Sequence, residues 1–317
     1  MHCEDVAAAE IARAADTPTY VYSASAIRDR YGRLASALSG IPARVHYSCK
    51  ANGNRAILGL LRSMGSGVDV VSGGELAKAL RAGFGPGDIV QGGVGKTAAE
   101  LRDGVKAGVK VINVESAAEL ALVNAIAGEL GVVAPVGLRV NPEVVVANAH
   151  EYIATGERGH KFGIPYVEAA DVARAALGMV HVRLVCLDMH VGSQLATLDP
   201  YRDGMQRLAA LVTELRAAGA PIRYLDIGGG LPVAYQAGDP TPDLPGYGTL
   251  VGETVHALDV ELIVEPGRFL VGDCGVLLTR VLYRKASGGK QYVIVDARSE
   301  EHTSELQSHL NLVCRLL

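Results

Sequence analysis

The sequence predicts an α/β fold, a (β/α)8 TIM-like barrel followed by part of a C-terminal β domain. Three observations lead there. Short β-branched runs alternate strictly with amphipathic helical stretches, the pattern of a parallel sheet closed on itself. The chain has 317 residues, 49% hydrophobic with 38 glycines, enough for one core of roughly 250 residues and a smaller piece. Past residue 264 the alternation stops, and strand-like runs follow one another without helices between them.

The elements run in order. A helix over 25–38 precedes the first strand, 44–49, and its helix, 55–64. Strand 67–71 leads to helix 74–82, strand 88–91 to helix 98–107, and strand 109–114 to helix 117–130. Strand 134–140 leads to helix 167–176, strand 182–189 to helix 201–218, and strand 222–227 to helix 250–258. Strand 260–264 completes the set. The alternative is an open doubly wound sheet, which needs a glycine-rich nucleotide loop after its first strand. Lys50-Ala51-Asn52-Gly53-Asn54 is no such loop. Runs at 269–283 and 292–295 read as strands, and Thr19-Tyr20-Val21-Tyr22 is a partner for them. The expected division is an N-terminal segment at 1–24, a barrel at 25–268, the start of a β domain at 269–297 and a tail at 298–317.

Composition excludes several classes. A net charge of -4 carries no nucleic-acid footprint. No apolar run reaches the roughly 18 residues of a membrane span. Met1-His2-Cys3-Glu4-Asp5 lacks the basic and apolar regions of a signal peptide. Cys3, Cys49, Cys186, Cys274 and Cys314 form no CxxC pair, so the expectation is a reduced, cytoplasmic setting without a metal site or disulfide framework.

In such a barrel, chemistry sits at the C-terminal strand ends. Those ends carry Lys50; Asp69 with Ser72 and Glu75; Asn113 and Glu115; Arg139 and Asn141; His190 and Ser193; Asp226 with Gly228, Gly229 and Gly230; and Glu265 with Gly267 and Arg268. Taken singly, each has a structural account. Lys50 is a snorkelling lysine, Ser72 a helix cap, Asp226 a turn former, Glu75 a solvated charge and His190 a core residue. Taken together they form one kit. A lysine at the inner mouth of a barrel loses solvation, its amine pKa falls, and it can condense with an aldehyde. The glycine run lets backbone N–H groups approach a phosphate, and Arg268 offers a bidentate cation for the same anion. Glu265 can keep a ring nitrogen protonated, and His190 offers a flat face. This is a pyridoxal phosphate kit. Two decoys fall away. Gly92-Gly93-Val94-Gly95-Lys96-Thr97 ends like a phosphate-binding loop but has Val90 where the first glycine belongs, and a dinucleotide fingerprint from Gly228 fails at Val233.

At these residues the chain resembles the fold-type III pyridoxal phosphate decarboxylases, from Thr17 to Ala297. The matching motifs are Tyr47-Ser48-Cys49-Lys50-Ala51-Asn52, Asp69-Val70-Val71-Ser72-Gly73-Gly74-Glu75-Leu76, His190-Val191-Gly192-Ser193-Gln194, Asp226-Ile227-Gly228-Gly229-Gly230 and Glu265-Pro266-Gly267-Arg268. Gly92 to Thr97, His150-Glu151-Tyr152-Ile153-Ala154-Thr155-Gly156 and Lys161-Phe162-Gly163 are similar to the branch acting on meso-2,6-diaminopimelate rather than ornithine. The resemblance implies an alanine racemase/ornithine decarboxylase-like architecture, pyridoxal 5'-phosphate as cofactor, and a homodimer. It implies that Lys50 holds the cofactor's aldehyde carbon, His190 stacks on its ring and Glu265 pairs with its pyridine nitrogen. Ser193, Gly228, Gly229, Gly230, Gly267 and Arg268 then bind the phosphate side, Arg268 also meets substrate, and Asp69, Glu75 and Arg139 lie around the cofactor. The implied reaction releases CO2 and forms L-lysine, the last step of bacterial lysine synthesis.

The chain departs from the family after Ala297. The family's β domain carries a Cys-Glu-Ser type motif and a tyrosine that complete the partner subunit's active site, and neither is found here. Residues 298–308, Arg-Ser-Glu-Glu-His-Thr-Ser-Glu-Leu-Gln-Ser, are similar to a translated sequencing-library adapter, as is Leu312-Val313-Cys314-Arg315-Leu316-Leu317 in the same frame. An amphipathic terminal helix is the alternative. The expectation is a truncated chain that binds cofactor poorly and decarboxylates little. Three functional alternatives stand beside the main reading: a decarboxylase of another basic amino acid, a related racemase, and a non-catalytic binding protein of the same fold. Intact Lys50, Glu265 and Arg268 speak against the last.

Overall fold

A computed structural model of the protein describes residues 1–144 and 160–297. The motif at 150–156 and the tail at 298–317, with Cys314, lie outside the described residues. Eight parallel strands form the barrel: β1 (Ala43–Ser48), β2 (Gly67–Val70), β3 (Ile89–Gln91), β4 (Val111–Val114), β5 (Ala134–Asn141), β6 (Val182–Asp188), β7 (Tyr224–Asp226) and β8 (Glu261–Val264). Each pairs with the next, and β8 returns to β1 through Leu262, Ile263 and Val264 opposite Ala43, Arg44 and Val45. The predicted closed barrel is therefore the observed one.

The strands are buried on both faces, so they read as near-continuous apolar runs. Their outer faces pack against helices α1 (Ala24–Ala37), α2 (Arg55–Ser63), α3 (Gly73–Arg81), α4 (Ala98–Ala107), α5 (Ala117–Glu129), α6 (Tyr166–Leu177), α7 (Asp199–Ala217) and α8 (Leu244–Leu258). Leu34, Leu58, Leu101, Leu120, Leu208 and Val251 on these helices are fully buried in one core with Val68, Ile112 and Leu184 of the strands. Each such side chain contributes about 1.5–3 kcal/mol by leaving water.

Side-chain caps fix where several helices begin. Ser23, Asn54, Ser72, Thr97, Ser116 and Asp243 each accept a bond from a backbone N–H of the first turn. Most of these caps lie just beyond a strand's C-terminal end, so they set the loops that rim the barrel mouth.

Outside the barrel, Gly275–Leu278 pairs antiparallel with Thr19–Tyr22. Val281–Ser287 and Lys290–Val295 form a hairpin that turns at Gly288 and Gly289, both at positive φ. The run at 269–283 is not one strand. Arg268–Val271 is a helical turn, closed by Gly272 N–H donating to Arg268 O, and a break at Thr279-Arg280 separates the two strands that follow. α8 begins at Leu244, earlier than the predicted 250, because Asp243 caps it by accepting from Gly246 N at 2.9 Å.

Candidate active site

Four strand ends meet at the C-terminal mouth of the barrel. A cavity of about 280 Å³ lies there, lined by Ser48, Lys50 and Ala51 after β1, by His190 and Ser193 after β6, by Gly229 to Leu231 after β7, and by Glu265 to Phe269 after β8. Its size is close to the lower end of small-molecule sites, ~300–1,000 Å³.

Lys50 sits in a 3-10 turn, Cys49–Ala51, directly after β1. It is exposed at the lip of the cavity, while Ser48 and Cys49 beside it are buried. The expected loss of solvation falls on these neighbours, because the turn carries residue 50 out of the packed strand.

His190 and the glycine loop form one unit. Gly229 N donates to His190 Nδ1 at 3.2 Å, which leaves the ring proton on Nε2. Burial, then the cations of Lys50 and Arg139, push the imidazole pKa well down, so the ring is neutral. Tyr201 Oη donates to Gly229 O at 2.8 Å. Gly230 has φ +116, and a Cβ there would lie 2.6 Å from Tyr201 Oη and 2.7 Å from Gly192 O. A Cβ on Gly229 would lie 2.5 Å from Glu265 O. Only glycine lets these three segments converge.

Glu265 follows β8, its N–H donating to Gly228 O at 2.7 Å. Burial, and then the charges of Asp226, Asp69 and Asp188, hold its carboxyl well above the usual range. Arg268 Nη1 donates to Tyr235 Oη at 3.3 Å, which orients the guanidinium.

The structure thus gathers Lys50, His190, Ser193, Gly229, Gly230, Glu265, Gly267 and Arg268 around one space. Asp69, Glu75, Arg139 and Gly228 are not among the residues that line it. Asp69 accepts from Ser48 Oγ at 2.7 Å, and Glu75 accepts from Val71 N at 2.9 Å. Ser72 does cap α3, and Asp226 does order its turn by accepting from Gly228 N at 2.9 Å. Arg139 donates to Glu115 at 2.6 Å. Burial opposes the Arg139 charge, but Asp188, Glu115 and Glu265 outweigh it and raise its pKa.

Four contributors were not singled out from the sequence. Ser48 and Asp188 are polar residues within strand runs, and a carboxylate inside the apolar stretch 182–189 was a readable signal. Tyr201 and Tyr235 gave none, since their parts depend on a helix and a loop folding back. Among the described residues, no group of three or more His, Cys, Asp or Glu could hold a metal ion.

The donor set fits pyridoxal 5'-phosphate: an amine for its aldehyde, a flat neutral ring for its face, a carboxyl for its nitrogen, and a guanidinium, a hydroxyl and glycine backbone for its phosphate. The comparisons with known proteins agree. The model of the pyridoxal-dependent decarboxylase, pyridoxal binding domain, matches residues 24–272. The diaminopimelate decarboxylase of Pseudomonas aeruginosa is 45% identical over 298 residues, 94% of this chain and 71% of the relative. The crystal structure of the Helicobacter pylori diaminopimelate decarboxylase complexed with L-lysine is 37% identical, with a TM-score of 0.86 over 91% of this chain and 72% of that one. The M. jannaschii enzyme in co-complex with L-lysine is 35% identical, with a TM-score of 0.84 over 92% and 70%. Barrel, cavity and relatives converge: the chain belongs to the pyridoxal-dependent decarboxylases, and among them to the diaminopimelate decarboxylases.

Proposed function

We propose that this protein decarboxylates meso-2,6-diaminopimelate to L-lysine and CO2, with pyridoxal 5'-phosphate as cofactor. The observation that carries the reading is the meeting of an amine (Lys50), a carboxyl (Glu265) and a guanidinium (Arg268) on one cavity at the barrel mouth. Bound there, the cofactor supplies an aldehyde for an amino group and a ring that accepts the electron pair left behind by CO2.

The side chains divide the remaining work. Lys50 Nζ is the amine that would hold the cofactor by its aldehyde carbon. His190, neutral and fixed by Gly229 N–H, gives a flat face that orients the ring without adding charge. Glu265 holds a proton at the ring nitrogen, which keeps the ring electron-poor. Ser193, Gly229, Gly230 and Gly267 would neighbour the phosphate with Arg268, which would also meet substrate, while Gly228 joins the loop to β8 by accepting from Glu265 N–H. Asp69, Glu75 and Arg139 brace the surroundings. We assign 25–268 to the cofactor-binding barrel, with 1–24 and 269–297 belonging to a β unit.

We further infer a cytoplasmic homodimer without nucleic-acid or membrane partners. A charge of -4 speaks against a nucleic-acid partner, and among the described residues no helix is long and apolar enough to cross a membrane. Cys3, Cys49, Cys186 and Cys274 are free thiols, in keeping with a reducing compartment.

Full-length protein loaded with cofactor should release CO2 and L-lysine from meso-2,6-diaminopimelate and turn over ornithine, arginine and alanine far more slowly. Comparable turnover of ornithine would overturn the substrate assignment. Sedimentation as a monomer at working concentration would overturn the dimer.

A further inference from the structure

We propose that Tyr201 is a positioning residue for the phosphate end of the site: its phenol fixes the peptide between Gly229 and Gly230 so that the Gly230 N–H is aimed into the cavity as an anion donor. The proposal rests on the cofactor reading only for which phosphate compound occupies the site.

The helix delivers the phenol. Tyr201, Met205, Leu208, Val212 and Leu215 recur every three or four residues along α7 and are all buried, so they form its core-facing stripe. Gly204 lets this end of the helix come close to the exit of β6. A Cβ there would lie 2.7 Å from Met189 Sδ and 3.1 Å from Val191 Cγ1, the two neighbours of His190. The Tyr201 ring meets Tyr247 of α8 edge-on, with centroids 5.2 Å apart and planes at 74°. A phenol on a side chain only 1% exposed needs a partner, and Gly229 O at 2.8 Å supplies it. Burial pushes the phenol pKa well up, so it stays a donor.

The glycine run commits its other polar groups to the fold. Gly228 N donates to Asp226 Oδ1 at 2.9 Å, and Gly229 N donates to His190 Nδ1 at 3.2 Å. Gly228 O accepts from Glu265 N at 2.7 Å, and Gly230 O accepts from Leu195 N at 3.0 Å. Gly230 N has no hydrogen-bond partner among the described residues. It shares a peptide plane with Gly229 O, and in a trans peptide the N–H and C=O point in opposite directions. The bond from Tyr201 therefore turns the Gly230 N–H away from α7. Gly229 and Gly230 line the cavity and Tyr201 does not, so away from α7 is toward the cavity. A carbonyl that accepts a hydrogen bond also polarises the N–H of its own peptide. Arg268 lines the same space and brings the positive charge.

Gln194 holds the facing segment in place. Its Oε1 accepts from Val233 N at 2.8 Å and its Nε2 donates to Val233 O at 3.0 Å. Ser193, next to it, lines the cavity with Gly230.

Binding to cofactor-free protein tests this. Tyr201→Phe removes one oxygen and keeps the ring against Tyr247. It should weaken pyridoxal 5'-phosphate binding about tenfold and leave the affinity for pyridoxal, which lacks the phosphate, unchanged. Tyr247→Phe, which removes the other hydroxyl of the aromatic pair, should change neither. An equal loss for both ligands in Tyr201→Phe, no loss at all, or the same selective loss in Tyr247→Phe would overturn the proposal. Inorganic phosphate is the second probe. It should bind wild type and slow hydrogen exchange at the Gly230 amide, read by NMR, with the Gly228 and Gly229 amides unchanged. Exchange at Gly230 that phosphate does not slow would overturn the proposal even if Tyr201→Phe does not fold. Phosphate binding at Gly230 without binding of pyridoxal 5'-phosphate would overturn the cofactor reading instead, and a weaker phosphate affinity in Tyr201→Phe would then uphold the proposal by itself.

Discussion

At the residue scale, the phosphate-side assignment turns on Arg268. Its guanidinium lines the cavity and is steadied by Tyr235 Oη. Loss of a charge-assisted contact costs on the order of 1.5–3 kcal/mol. Arg268→Ala should weaken cofactor binding by that amount, and Lys161→Ala should not; titrating cofactor-free protein reads both, and equal affinities would refute the role. Glu265→Gln should lower turnover more than cofactor affinity, because an amide cannot hold the ring proton in place. Steady-state rates beside a binding titration separate the two effects. Lys50, Glu265, Arg268 and the glycines were legible in the sequence because strand ends mark the barrel mouth. Tyr235 and Tyr201 were not, since hydroxyls that reach back 33 and 28 residues leave no local pattern.

At the element scale, two devices have measurable weight. The first is β1, whose His46 is fully buried and pushed down to about 3 by burial, with Lys110 and Arg44 adding. The unfolded imidazole takes its proton near 6.5, so the unfolded state binds more protons between those values. Stability from this residue is complete above pH 6.5 and falls by about 1.4 kcal/mol per pH unit below it. Melting curves of His46→Gln should show a shallower acid loss than the wild type; identical curves would mean that His46 charges freely in the fold. The second is the capping box of α4, where Thr97 and Glu100 bond each other's backbone N–H. Glu100 Oε1 also accepts from Gly73 N at 2.9 Å and so ties two rim loops together. Thr97→Ala should cost about 1 kcal/mol by chemical denaturation. The same stretch resembled a phosphate loop in the sequence. In the fold Lys96 is buried, paired with Glu119 at 2.8 Å and donating to Gly93 O and Asn113 O, so it fastens the rim. Strand and helix order was readable because short β-branched apolar runs alternate with amphipathic stretches of period 3.6. The split of 269–283 was not, since apolar runs on either side of a short break look continuous.

At the scale of the whole molecule, closure of the barrel is what makes the site. The cavity needs β1 beside β8, and that pairing joins residues 43–45 to 262–264. Lys50 and Glu265, more than two hundred positions apart in the chain, meet only through it. The fold was legible as strict alternation, and the site as the polar residues that interrupt it. The most direct test of the central claim is to load the protein with pyridoxal 5'-phosphate, reduce it with borohydride and map the pyridoxyl label by peptide mass spectrometry. The account predicts a single label, on Lys50, that vanishes in Lys50→Ala. A label on another lysine, or one retained in that variant, would contradict it.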